Sequence, residues 1–210
     1  DIWSINPSTS ATFFKTAATV TGGVYPRALI LDNTNPVVAK EGAGYKVIIT
    51  SGGDDRTANF TINGAIVGQL TEQGQVPNPN NPEVLAGGNA GAVTSAYFYS
   101  RIDSITISKA AAGTVAVGTT GDLALPRCRI KGFYVLGDAD AGSLKINRFS
   151  YTTSAYPTVA VESLLDITTP AGATLTQFLS LPGQGILTGQ QHNDFAVVTL
   201  DGADYSLFCG

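Results

Sequence analysis

Apolar and small polar residues alternate along much of this chain, with the period of a β-strand. The clearest stretch is Gly87–Gly121, GGNAGAVTSAYFYSRIDSITISKAAAGTVAVGTTG. In it Ile102, Ile105 and Ile107 bracket Ser104, Thr106 and Ser108, and Val115 and Val117 alternate with Thr114, Ala116 and Gly118. Side chains two apart share one face of a strand, so this pattern buries one face and leaves the other polar. The stretch predicts strand, turn, strand, turn, strand, and offers no residue suited to catalysis.

The same reading covers the rest of the first half. Candidate strands are Arg27–Leu31, Tyr45–Thr50, Ala58–Ile62, Ala65–Gln69, Ala96–Tyr99, Ser104–Ser108 and Thr114–Val117. Turn signals stand at Asn33–Pro36, Ser51–Asp55 and Asn63–Gly64. Asn-Gly between two apolar runs predicts a hairpin. Val76–Val84, VPNPNNPEV, predicts an exposed irregular loop, because its prolines lack amide donors and hold the chain extended. In the second half the strands are Cys128–Leu136, Ser143–Phe149, Thr158–Leu165, Thr174–Leu179, Gly185–Leu187, Phe195–Leu200 and Tyr205–Cys209. Turns fall at Gly137–Ser143 and Thr169–Ala173, and the Asp-Gly of Leu200–Tyr205 predicts a tight hairpin. No stretch of helical length keeps a 3.6 period. Val161–Ile167 comes nearest, and we read it as strand.

Asp1–Tyr25 differs. Ile2, Trp3, Ile5, Phe13 and Phe14 are separated by Pro7 and a Ser/Thr run, and no period persists. It predicts an extended N-terminal arm. Aromatic groups on a segment that cannot fold alone are buried against something. That is either the chain's own body or a neighbouring subunit, and Trp3, Phe13 and Phe14 are the candidates for the second role. The expected architecture is all-β: an arm over 1–25, a first β-domain over 26–124 and a second over 125–210. Each domain is expected to be a small β-sandwich or jelly-roll-like unit. A chain of 210 residues allows one large or two small domains. It buries roughly 70% of its unfolded surface, enough to stand without staples.

Composition sharpens this picture. Charged residues are 13% of the chain, against about 25% in an ordinary soluble domain. A skin of small residues in place of Lys and Glu suits a protein covered by neighbours in an assembly, and equally a compact monomer with a Thr/Ser-rich surface. Net charge is −4 and the basic residues are scattered, which gives no footprint for nucleic acid. The densest basic group is Arg127, Arg129 and Lys131, alternating with Cys128 and Ile130. On a strand this sets three cations on one face, as a solvated face or as a basic strip at a protein interface. Cys128 and Cys209 are too few for a disulfide framework or a metal site and are expected as buried free thiols, with a bridge open only if their strands are adjacent. No run of about 18 apolar residues marks a membrane-spanning helix, and no basic, apolar leader opens the chain. The chain starts at Asp1 and contains no Met, so Asp1 is not expected to be the translated start.

Catalytic patterns are weak. His192, the single histidine, stands in the polar GQQHNDF loop, and no G-x-S-x-G elbow accompanies it. Asp54/Asp55 and Asp138/Asp140 are the carboxylate pairs, but acids in Gly-rich turns usually cap local amides. Asp138-x-Asp140-x-Gly142 echoes part of a calcium loop and lacks its later ligands. Gly87–Thr94 is Gly-rich without the Lys and helix of a phosphate cradle. The expectation is a non-enzyme with no cofactor and no metal.

Three regions together resemble structural proteins of tailed bacteriophages. The first is Ile49–Glu72, ITSGGDDRTANFTINGAIVGQLTE, followed by Leu85–Gly121 with its GGNAG and SITISKAAAGTVAVGT runs. The second is Arg129–Ile146, RIKGFYVLGDADAGSLKI, and the third is Leu179–Gly210, from LSLPGQGI to DYSLFCG. In the third, Tyr205 stands where an apolar β-branched residue is usual, and Cys209 precedes the closing Gly. The resemblance implies a virion component, most simply a head decoration or cement protein that bridges major capsid protein subunits. It brings no catalytic residues. Capsid symmetry then favours a homo-oligomer, a trimer first. Trp3, Phe13 and Phe14 would insert into a groove on the capsid protein. A tail fibre, adaptor or connector is the alternative, with Val76–Val84 and the His192 loop as contact loops. A carbohydrate-binding β-module is a further one, with Tyr97, Phe98, Tyr99, Tyr151 and Tyr156 as candidate aromatics.

Overall fold

The computed structural model describes residues 3–5, 10–33, 42–68, 82–136, 141–150, 159–171, 176–181, 183–189, 194–201 and 204–209. Its regular elements are all β-strands. The first half of the chain supplies β1 (Trp3–Ile5), β2 (Ser10–Thr19), β3 (Arg27–Ala28), β4 (Gly44–Ser51), β5 (Asn59–Ile66), β6 (Glu83–Ala86), β7 (Ala92–Ile107) and β8 (Thr114–Pro126). The second half supplies β9 (Arg129–Leu136), β10 (Gly142–Phe149), β11 (Glu162–Thr169), β12 (Thr176–Ser180), β13 (Ile186–Leu187), β14 (Phe195–Asp201) and β15 (Asp204–Cys209). They form an antiparallel, sandwich-like all-β fold. The ten-stranded sheet runs β11-β10-β14-β8-β4-β7-β5-β6, with β2 also on β8 and β3 on β7. The five-stranded sheet runs β1-β15-β9-β12, with β13 on β9.

Two large cores lie within this arrangement, beside a smaller buried cluster of Val67, Phe98, Ala124, Phe195 and Val197 with Phe149 packed against it. In one, Ile130, Phe133, Leu207 and Cys209 of the small sheet pack on Tyr45, Leu123, Leu125, Leu144, Ile146 and Val198 of the large one. In the other, Val47, Ile49, Phe60, Ile62, Tyr99, Ile102, Ile105, Ile107, Val115 and Val117 pack together with Phe14, Val20 and Leu29. Full burial of an aliphatic or aromatic side chain stabilises by roughly 1.5–3 kcal/mol, so each core is substantial. The boundary expected between residues 124 and 125 falls inside β8. Leu123 and Ala124 pair with Val198 and Val197 on one side and with Tyr45 and Gly44 on the other. The two halves therefore share one sheet, and the division is one of cores rather than of separate bodies.

The long strands β7 and β8 hold the fold together, and β7 explains a local failure of the alternation. Ile102 and Ile105 are three apart, yet both are fully buried. The register skips Asp103 between the pairs Gly64↔Ile102 and Asn63↔Ser104, and skips Ser100 between Ile66↔Tyr99 and Ala65↔Arg101. Each skip is a bulge that resets which face the next residue takes. The sequence signals at Ala96–Tyr99 and Ser104–Ser108 are thus one bent strand. A further irregularity lies opposite β4, between Lys46↔Phe98 and Ile48↔Thr94. There Ser95 fills the ladder gap: its Oγ accepts from the Val47 amide at 2.8 Å and donates to the Tyr97 carbonyl at 2.7 Å.

Two predicted hairpins are corrected. Asn63–Gly64 lies inside the continuous strand β5. A Cβ at Gly64 would strike the Arg101 carbonyl, so this glycine permits close backbone approach at the bulge rather than a turn. Asp201–Asp204 does not close a hairpin either, because β14 pairs with β10 and β8 whereas β15 pairs with β9 and β1. Asp201 ends a strand of the large sheet, and Asp204 begins one of the small sheet. Only Arg27–Ala28 of the expected Arg27–Leu31 strand is regular, and the expected strand at Thr158–Leu165 is displaced to Glu162–Thr169. Val161–Ile167, the segment nearest a helical period, is strand from Glu162 onward, as read. The loop residues 76–81, and Tyr151, Tyr156, Asp138, Asp140 and His192, lie outside the described residues.

Candidate functional site

The N-terminal segment is integrated into the body. Ser10–Thr19 forms β2 against β8, and Trp3 pairs with Cys209 in β1. Phe14 is fully buried in the first-half core, with Phe13 half-buried against it, ring centroids 5.0 Å apart in an edge contact. The Phe14 carbonyl accepts from the Asp32 amide at 2.7 Å, and the Phe13 carbonyl from Asn33 Nδ2 at 2.8 Å. Asp32 Oδ2 in turn accepts from the Thr16 amide at 2.8 Å and the Thr16 hydroxyl at 2.7 Å. Those bonds, the amide first, hold the Asp32 carboxyl below its ordinary range. Phe14 is therefore a core residue of this chain and not a free insertion group, which corrects that part of the arm expectation. The missing period in the sequence has a physical cause: β2 advances irregularly along β8, from Ser10↔Thr119 to Lys15↔Val117, so burial does not alternate.

The exposed apolar groups of this region lie just beyond β2. Val24 is 89% exposed and Ile30 77% exposed. They flank β3 on a segment held by Arg27, whose Nη1 donates to the Thr21 and Gly22 carbonyls at 3.0 and 2.9 Å, and by Lys15, whose Nζ donates to the Ile30 carbonyl at 3.2 Å. A backbone braced in this way loses less conformational entropy on binding. Sequence reading missed this pair because Val24 and Ile30 look like core residues.

Arg129 and Lys131 share β9 as the alternation predicts, but Arg127 stands in the bend between β8 and β9 rather than on the strand. Cys128 and Ile130 are buried, whereas Arg127 and Lys131 are exposed and Arg129 half-exposed. Arg129 Nη1 and Lys131 Nζ both reach the Gln184 carbonyl, at 3.5 and 3.2 Å. Cys128 and Cys209 are both buried, as thiols rather than as a disulfide. The Thr188 amide donates to the Cys128 carbonyl at 2.9 Å, and its hydroxyl donates to the Pro126 carbonyl at 3.0 Å and accepts from the Cys128 amide at 2.7 Å, which pins the start of β9.

The acidic turn serves structure. Asp54 pairs with Arg56 at 2.8 Å, and that side-chain contact lowers the Asp54 pKa to about 2. Asp55 is buried and accepts from the Ala112 amide at 2.7 Å, tying the turn after β4 to the one before β8. Among the described residues no three His, Cys, Asp or Glu side chains gather as a metal site. Glu83, which the sequence places in the proline-rich loop, is instead a buried clasp. Its Oε1 accepts from the Ala96 amide at 2.6 Å and its Oε2 from the Tyr99 hydroxyl at 2.8 Å. Burial is the chief cause of its raised pKa. Tyr97 and Tyr99 are buried in the same core, so they are not exposed sugar-stacking aromatics.

Comparison of the chain with family models, curated proteins and solved structures finds no significant match.

Proposed function

We propose that this chain is a non-enzymatic structural protein of a tailed-phage virion, one that decorates or cements the head by bridging major capsid protein subunits. The observation that carries this reading is the resemblance of Ile49–Glu72 and Leu85–Gly121 to such proteins. In the fold these segments supply β4 to β8, the interlocked centre of the large sheet. A rigid antiparallel body of low charge suits repeated lateral contact. In place of the buried Phe14, the contact groups on this reading are Val24 and Ile30, with Arg127, Arg129 and Lys131 as a separate basic strip. Many weak copies acting together give avidity that no single contact supplies, and local capsid symmetry favours a trimer.

The test is the stability of heads assembled with and without the chain. Heads lacking it should release their DNA at lower temperature, and adding the purified protein back should restore the difference. The double variant Val24→Ser, Ile30→Ser should fold normally and fail to restore it. Heads of equal stability with and without the chain would sink the cementing role.

A further inference from the structure

We propose that the far face of the large sheet, turned away from the small sheet, carries a binding site for a single neutral pyranose ring. The proposal rests on strand periodicity and on a cavity, and is independent of the virion reading. In β4, β8, β10 and β14 the residues Tyr45, Leu123, Leu125, Leu144, Ile146, Ala196 and Val198 point into the core beneath the small sheet. Their alternating neighbours must face the other way. Register carries Phe98 of β7 beside Lys46 of β4, and Asn147 of β10 beside Val197 of β14. On that face a cavity of about 240 Å³ opens, lined by Lys46, Phe98, Asp122, Asn147, Phe149 and Thr199 among others.

The walls have two chemistries. One is aromatic, formed by Phe98 and Phe149; behind it the fully buried Phe195 stacks on Phe149 with centroids 5.4 Å apart and planes 10° apart, and lies 6.1 Å from the Phe98 ring in an edge contact. The faces of phenyl rings carry partial negative charge and attract the polarised C–H groups of a sugar ring. The other wall is polar. Lys46 donates, Asp122 accepts, and Asn147 and Thr199 can do both. Lys46 Nζ lies 5.2 Å from the centre of the Phe98 ring, a cation–π contact that holds the ammonium at the boundary between the two walls.

The balance of these groups selects the ligand. One ammonium and one carboxylate cancel in formal charge, so an anion meets Asp122 and a cation meets Lys46. Hydroxyl groups, each both donor and acceptor, can satisfy all four polar side chains. The volume lies below the roughly 300–1,000 Å³ of sites for drug-sized ligands, which limits the occupant to about one ring. Tyr97 and Tyr99, the more obvious candidates in the sequence, face inward. Phe98 between them faces the cavity, as the period of two requires.

The experiment is a titration of the isotope-labelled full chain with methyl glycosides of glucose, galactose, mannose and N-acetylglucosamine, followed by amide NMR. One of them should shift the Lys46, Ala96, Asn147 and Thr199 amides saturably, with a Kd on the order of 1 mM. Asp122→Asn should keep the fold and weaken binding about tenfold, near 1.4 kcal/mol, by replacing a charged acceptor with a neutral amide. Phe149→Leu should weaken it comparably by removing the stacking face. No saturable shift with any of the four glycosides would overturn the proposal. So would shifts confined to other surfaces, binding unaffected by both variants, or tighter binding of uridine at the same amides.

Discussion

Phe14→Ala separates a docked strand from a free arm. Phe14 is fully buried among Val20, Leu29, Val47, Val115 and other members of the first-half core, and its carbonyl holds Asp32. Removing the ring deletes its transfer free energy and leaves a cavity among close-packed core side chains, which relax only partially. Substitutions of this kind cost about 3–5 kcal/mol. Phe13, half-buried on the edge of the same ring, provides the internal control at roughly 1–2 kcal/mol. Urea unfolding of the isolated chain reads the difference as a lower midpoint with an unchanged slope. Thermal unfolding reads it as a drop of about 2–4 °C for each kcal/mol in a chain of this size. A Phe14→Ala protein within about 0.5 kcal/mol of the parent would refute the placement of β2 in the core, since surface substitutions behave that way. Equal costs for Phe13→Ala and Phe14→Ala would do the same.

Two further predictions follow from single contacts. Burial raises the Glu83 pKa above its ordinary 4.5, so the folded chain binds this proton more tightly than the unfolded one. The stability from that proton is present below the ordinary value and is lost as pH rises through the raised one. Between acid and neutral pH the parent should therefore lose stability relative to Glu83→Gln, which stays neutral; parallel pH profiles of the urea midpoint would contradict this. At Gly118 a Cβ would strike the backbone of Ser10 and Ala11, which only a shift of β2 can relieve. Gly118→Ala should cost at least about 1–3 kcal/mol by calorimetry, and a neutral result would show that β2 does not cross β8 there.

The fold class is legible in the sequence because strand periodicity depends on neighbours two residues apart. Val115, Val117, Ile105 and Ile107 announce their buried face, and Cys128 and Ile130 separate cleanly from the basic residues between them. What escapes is information carried by distant partners. The Asn63–Gly64 step reads as a turn because nothing local reveals that Arg101 presses against Gly64. Ile102 breaks the phase because the bulge at Asp103 exists only once β5 is alongside. Phe14 looks unanchored because Asp32 and Asn33, which hold its strand, lie across an intervening turn. The far-face cavity draws its lining from β4, β7, β8, β10 and β14, so no window of sequence contains it. The Arg129 and Lys131 pair, by contrast, is local to one strand and follows from alternation alone, whereas Val24 and Ile30 differ from core residues only by exposure.

The most direct measurement is antibody labelling, with an antibody raised to this chain, of intact, purified particles of the phage that the virion reading implies, imaged by electron microscopy. The cementing role predicts label at regular positions over the whole head. Label confined to one vertex or to the tail would contradict it in favour of a connector or fibre, and no label on any particle would remove the chain from the virion altogether.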